Sequence, residues 1–198
     1  MEAAGKRNPW MEPGEEAALV VASKNGDTEA FGRIVRHYQR AVFRVAYGMT
    51  RNTSDADDLA QETFVRAFKA IGRFRVGEPL YPWLSRIAVN LAYSLYRHRR
   101  RRPETPLEPL LEAGRQWSSG GDPAEEVAER ERQRHLAEAF AGLSDEHRAI
   151  LVLRVVEGLT YEDIARTLGV PAGTVMSRLS RARADLKTRL RARTGESK

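Results

Sequence analysis

Cysteine is absent from the 198 residues, which removes disulfides, thiolate nucleophiles and zinc fingers and fits a reducing cytoplasm. No run approaches the roughly 18 apolar residues of a membrane span, and residues 1–16 lack the apolar centre of a secretory signal. The sequence therefore reads as a soluble cytoplasmic protein with no membrane insertion. Alternating strand patterns and hairpin turns are missing too. So are Gly-rich phosphate loops and nucleophile motifs, so no catalytic set, metal or cofactor is predicted and the chain is not read as an enzyme.

What remains is charge and helical periodicity. Lys and Arg number 33 against 27 Asp and Glu, a net charge of +6, and such a balance makes nucleic acid the first partner to test. Arg dominates Lys and suits bidentate phosphate and guanine contacts. A genomic habit of Arg usage would give the same composition.

Three- and four-residue apolar spacing predicts an all-α fold of two small helical domains joined by a flexible acidic linker. A disordered start, residues 1–14, precedes a first domain over residues 15–102. Its first helix is expected over residues 15–25, stopped by Gly26. Asp27 or Thr28 caps a second over residues 29–50, with Phe31, Ile34, Val35, Val42, Val45 and Ala46 inward. Ser54 followed by Asp57 resembles a capping box. The helix it opens runs to Ile71 with Ala56, Leu59, Ala60, Phe64, Ala67, Phe68 and Ile71 inward. After a loop over residues 72–82, a helix starts near Trp83 and reaches the run Arg99, Arg100, Arg101 and Arg102.

Residues 103–124 lose periodicity through Pro103, Pro106, Pro109, Pro123, Gly114, Gly120 and Gly121. Glu104, Glu108, Glu112 and Asp122 against Arg115 make them an acidic tether between basic neighbours. The second domain, residues 125–198, should hold helices over residues 125–141, 145–157, 161–168 and 172–192. Its last two form a helix-turn-helix. Thr160 caps the first with Asp163 completing the pattern, Gly169 supplies the positive φ of the turn, and Pro171 suits the next helix start. Val175, Leu179 and Ala182 face inward, which leaves Thr174, Ser177, Arg178 and Arg181 outward, with Arg183 and Lys187 on the flank. Hydroxyls and guanidinium groups there are what major-groove base edges and phosphates require. An ordinary helical hairpin with a solvated basic face is the alternative.

The stretch LTYEDIARTLGVPAGTVMSRLSRARADLK resembles region four of extracytoplasmic-function (ECF) sigma factors of the sigma-70 family. DADDLAQETFVRAFKAIGRF is similar to the core-polymerase helix of their region two, and YPWLSRIAVNLAYSLYRHRRR to its promoter-melting helix. The likeness extends over about residues 29–102 and 129–187. It implies a first domain that grips the clamp of core RNA polymerase and opens the minus-ten element, and a second that meets the flap and reads the minus-thirty-five element as duplex. Promoter DNA and an inhibitory anti-sigma protein are the further partners implied. Asp55, Asp58, Gln61, Glu62 and Val65 become the docking residues, and Phe74, Arg75, Trp83, Arg86, Asn90 and Arg97 the minus-ten residues. Thr174, Met176, Ser177, Arg178, Arg181 and Arg183 become the minus-thirty-five residues; Met176 stands where many relatives carry Lys or Arg.

The residues themselves make physical sense of these roles. Asp58, Gln61, Glu62 and Val65 recur at helical steps opposite the apolar stripe, an acidic face on which ion pairs would speed and orient docking. Asp55 and Asp57 also favour the positive end of their own helix. In the Trp83 helix, Leu84, Ala88, Leu91 and Leu95 form the inward stripe. The other face carries Trp83, Arg86, Asn90, Ser94 and Arg97, with Tyr93 at its edge. An aromatic ring stacks on an unpaired base for about 1–3 kcal/mol while Arg neutralises the backbone. Trp83 as a core or interface aromatic is the plainer reading. Two rivals for the whole chain stay open: a self-sufficient dimeric DNA-binding protein, and an enzyme with a metal centre at Asp55, Asp57, Asp58 and Glu62.

Overall fold

A computed structural model describes residues 10–101 and 123–194, and all regular structure among them is helical. The first module contains α1 (Pro13–Lys24), α2 (Thr28–Thr50), α3 (Thr53–Ala70), a 3-10 turn (Ile71–Arg73) and α4 (Leu80–Arg101). The second contains α5 (Pro123–Ala141), α6 (Asp145–Leu151) running into a π turn (Val152–Val156), α7 (Tyr161–Leu168) and α8 (Ala172–Thr194). Most of the proposed start, residues 1–14, and of the acidic linker, residues 103–124, lies outside the described residues. Residues 10–14 of that start are nevertheless ordered: Met11 is buried, its N–H reaches the Tyr38 hydroxyl at 3.1 Å, and Pro13 occupies the first turn of α1.

Local chemistry explains most helix ends. Asp27 caps α2 by accepting the Ala30 N–H at 3.0 Å. Arg51, at φ +57°, closes α2 in the left-handed region and turns the chain into an extended Asn52. Asn52 then caps α3 by accepting the Asp55 N–H at 2.9 Å, which corrects the expected start at Ser54. Asn caps as well as Ser does, and the turn at Arg51 delivers it first.

Helix α4 starts at Leu80 and not near Trp83. Its Leu80 N–H is taken by the buried Glu16 carboxylate at 3.0 Å, a cap delivered from α1. Glu16 also accepts the Tyr38 hydroxyl. No local signal could have shown that boundary, because the acceptor lies 64 residues away in the chain.

In the first module Val20, Ile34, Tyr38, Val45, Ala56, Leu80 and Leu84 fill the centre; in the second Ile150, Leu153, Leu159, Ile164 and Leu179 do. Phe68, expected inward, is 44% exposed at the rim and packs edge-on against Phe31 at 5.0 Å.

The two cores are continuous. Helix α2 packs on α6 and the π turn, and α4 on α7. Gly48 permits the first contact, since a Cβ there would lie 2.7 Å from Val152 Cγ2. Buried Arg148 bridges the second module to the end of α2. It donates to the Met49 carbonyl at 3.2 Å and to those of Ala141 and Leu143 at 2.7 and 3.2 Å, and its guanidinium lies 5.1 Å from the Tyr96 ring centroid. A cation at a helix carboxyl end meets the negative pole of its dipole.

Helix α6 was expected to run unbroken over residues 145–157. Its last turn instead widens: the Glu157 N–H bonds the Val152 carbonyl at 3.1 Å, and Gly158, at φ +69°, turns the chain away. Such π turns often re-aim a side chain. Here Glu157 is turned inward between the modules.

Candidate nucleic-acid and polymerase interfaces

The helix-turn-helix forms as its residues require. Thr160 accepts the Asp163 N–H at 3.1 Å and donates its hydroxyl to the Asp163 carboxylate at 2.6 Å. Gly169 sits at φ +66° and closes α7 onto the Ala165 carbonyl. Val175, Leu179 and Ala182 are buried. On the outer face of α8, Met176, Ser177, Arg181 and Arg183 are exposed, and Met176 is 62% accessible. Thr174 is half-buried and its carbonyl accepts the Ser177 hydroxyl at 3.0 Å. Arg178 differs from its neighbours: it turns toward α6, 3.4 Å from Glu146, into a cleft between the modules.

On α3, Asp58, Gln61 and Val65 are exposed along one face. Glu62 is half-buried and pairs with Arg66 one turn on, at 2.7 Å. Asp55 is tied by both oxygens to Arg99 of α4, at 2.7 and 2.8 Å, so it joins two helices at the edge of that face. Among the described residues no three His, Asp or Glu side chains converge into a group that could hold a metal.

The minus-ten candidates divide. Phe74 is buried against the half-buried Trp83, their ring centroids 4.9 Å apart, so Trp83 leans on an aromatic neighbour while part of it stays exposed. Arg75, Arg86, Asn90 and Arg97 are exposed, and Arg97 donates to the Ser94 hydroxyl at 3.1 Å. Yet α7 lies along part of this helix face: Thr167 donates to the Pro82 carbonyl at 3.2 Å, and Asn90 and Tyr93 line the cleft with Glu146, Leu168 and Arg178. Burial there, with the Glu146 and Asp145 carboxylates adding to it, pushes the Tyr93 phenol up to about 12.

Sequence reasoning missed the residues between the modules. The Glu157 side chain is fully buried, and Arg44 holds both its oxygens, Nε on Oε1 and Nη2 on Oε2, each at 2.8 Å. Tyr81 donates its hydroxyl to the same carboxylate at 2.6 Å. The hydrogen bonds that Arg44 itself donates to Glu157 hold its guanidinium above its ordinary pKa, and burial first, then Glu157, raises the Tyr81 phenol far above its own. The one signal available was Glu157 beside Val155 and Val156, which breaks the polar spacing of a surface helix end.

Two separate family matches fall one on each module. Residues 34–102 match sigma-70 region 2 and residues 133–186 match sigma-70 region 4. The chain is 35% identical over 193 residues to the ECF RNA polymerase sigma factor SigE of Mycolicibacterium smegmatis, covering 95% of this chain and 74% of that one. To the ECF RNA polymerase sigma factor SigW of Bacillus subtilis it is 32% identical over 175 residues, covering 85% and 92%. Among solved structures it is similar to CnrH in complex with the cytosolic domain of CnrY, with a TM-score of 0.67, 28% identity and coverage of 90% and 98%. The sigma factor RpoE in complex with the anti-sigma factor NepR, from Bartonella quintana, gives 0.63, 26%, 85% and 98%. The chain therefore belongs to the ECF RNA polymerase sigma factors of the sigma-70 family.

Proposed function

We propose that this sigma factor docks on core RNA polymerase through the outer face of α3, holds the separated minus-ten strands on α4 and its preceding loop, and reads the minus-thirty-five duplex with α8. Asp55, Asp58, Gln61, Glu62 and Val65 form the docking surface, with Asp55 acting through its tie to Arg99. Phe74, Arg75, Trp83, Arg86, Asn90 and Arg97 serve the melted strand. Thr174, Met176, Ser177, Arg178, Arg181 and Arg183 serve the duplex, where Met176 offers an apolar contact in place of a cation. Phosphodiester chemistry belongs to the polymerase, and this chain contributes recognition and strand opening in the cytoplasm. An anti-sigma protein is the natural inhibitor, in keeping with the complexes in which CnrH and RpoE were solved.

The observation that carries this reading is the separation of two exposed faces of opposite character on two modules: Asp58, Gln61 and Val65 on α3, and Ser177, Arg181 and Arg183 on α8. Acidic docking speeds and orients association with a basic partner, whereas guanidinium groups engage base edges and phosphates. The two faces are tested separately. Arg181→Ala should reduce promoter-dependent initiation by about tenfold, the size of one lost guanidinium contact, and leave core binding unchanged in a pull-down. Asp58→Lys should do the reverse, weakening core binding first. Loss of core binding in a folded Arg181→Ala protein contradicts the assignment.

A further inference from the structure

The Glu157 carboxylate is removed from water, and among the described residues its side-chain donors, Arg44 and Tyr81, both come from the other module. The Arg44 fork on α2 takes both oxygens at 2.8 Å, and the Tyr81 hydroxyl in the first turn of α4 takes one at 2.6 Å. A buried carboxylate is tolerated only when it is paired and hydrogen-bonded in this way. Seen from the first module, Arg44 and Tyr81 together are an anion receptor.

One half of this receptor is fixed from within the first module, and the other half is open to solvent. The Tyr81 ring is stacked on Tyr38, 5.7 Å away and 6° from parallel, and meets the edge of Trp10 at 5.9 Å, so its hydroxyl is held in place from within the first module. The Arg44 side chain keeps 48% exposure even while paired, so an anion can approach it from solvent once Glu157 leaves. A planar guanidinium fork with a hydroxyl beside it fits two oxygens of a phosphate as well as it fits a carboxylate.

The receptor's place in the fold identifies the phosphate. Tyr81 lies in the first turn of α4, two residues before Trp83 and just after the loop that begins at Phe74, and α7 covers the adjoining face of α4 through the Thr167 bond to the Pro82 carbonyl. The same closure that inserts Glu157 therefore covers part of the surface assigned to melted DNA. We propose that Arg44 and Tyr81 form a binding site for a backbone phosphate of promoter DNA, and that Glu157 fills this site in the phosphate's place while the modules are packed together. The inference rests on the sigma-factor reading given above. Opening of the modules then withdraws the carboxylate and delivers the site to DNA in one movement.

The full-length chain tests this directly. Because it contains no cysteine, Lys69→Cys and Arg191→Cys, both at exposed positions, accept a donor and acceptor dye that report the distance between modules. Four proteins are compared: the parent, Glu157→Gln, Arg44→Ala and the double variant. Both single changes break the same contact, so both should lower energy transfer. Only Glu157→Gln should gain affinity for a fluorescein-labelled 12-nucleotide strand or the matching duplex, by on the order of tenfold over the double variant, as one charge-assisted contact gives. Its salt slope should exceed that of the double variant by about one phosphate, roughly 0.7 for the strand or 0.9 for the duplex. A gain with the strand alone assigns the phosphate to melted DNA, and a gain with the duplex alone to the double helix. Equal affinity and equal salt slope in Glu157→Gln and the double variant would overturn the proposal, as would unchanged energy transfer in both single variants.

A second measurement leaves Glu157 untouched. With core polymerase bound, Arg44→Ala should lower the salt slope of promoter binding by about one phosphate, and an unchanged slope also overturns the site. If the parent chain directs site-selective transcription with core polymerase while the variants show none of the predicted changes in affinity or salt slope, only the phosphate site is lost. If the parent itself directs none, the sigma-factor reading falls.

Discussion

Arg148 and Trp83 show how much one side chain can decide. Arg148 satisfies three backbone carbonyls, one of them across the module boundary, and a neutral side chain would take the Arg148 bonds from Ala141 and Leu143 while Met49 keeps the Tyr96 hydroxyl. Each stranded group costs about 1–3 kcal/mol, so Arg148→Leu should lower the unfolding free energy by about 3 kcal/mol. Urea titration followed by circular dichroism reads this as a shifted midpoint, and an unmoved midpoint would show that the carbonyls are solvated. Trp83 packs against Phe74 and the core, which is the plainer of its two readings, and it stays half-buried; the proposed stacking on a base is tested by removing the ring. Trp83→Ala should slow open-complex formation by about tenfold, from a stacking energy of about 1–3 kcal/mol, with duplex binding retained. Unchanged melting kinetics in stopped-flow fluorescence would remove the stacking role.

At the scale of the element, legibility followed the range of the interactions. Helix α7 begins and ends where Thr160, Asp163 and Gly169 predict, because the chemistry of both ends lies within its own residues. Helix α3 shows a near miss, since Asn52 and Ser54 are both good caps and only the backbone at Arg51 selects between them. Asn52→Ala should therefore destabilise the first module by about 1 kcal/mol while Ser54→Ala leaves it unchanged. Paired thermal melts decide the matter, and the opposite ranking would restore the cap to Ser54. Helix α4 lay beyond local reading because its first N–H is capped by Glu16 from α1. The π turn was hidden for a related reason: its consequence, the burial of Glu157, depends on Arg44 and Tyr81 in the other module. Outward faces on α3 and α8 were legible from spacing alone, whereas the occupation of the Arg178 side of α8 by the cleft was not.

Across the whole molecule, the modules meet through an interface that is apolar at Gly48 and Val152 and charged at Glu157 and Arg148. Sequence periodicity reveals each module but carries no information on how one lies against the other. Several phenols are enclosed within the first module or between the two: burial is the first cause that raises Tyr38, Tyr81, Tyr93 and Tyr96, with Tyr93 reaching about 12 from an ordinary value of 10.0. A folded-state pKa above the unfolded one means that the neutral phenol is favoured by folding. The associated stability is intact below about pH 10 and is lost as pH rises toward 12 and beyond. In an alkaline titration, tyrosinate absorbance from these residues should appear together with the loss of helical circular dichroism. Full ionisation of all tyrosines near pH 10 in a still-folded protein would contradict the packing.

Sigma-factor activity is tested most directly by adding the purified chain to core RNA polymerase on genomic DNA fragments and mapping the 5′ ends of the transcripts. The account predicts a small set of discrete start sites that appear only with the chain present and share one upstream pair of sequence elements. Transcripts that are absent, or that start at the same scattered positions with and without the chain, would contradict it.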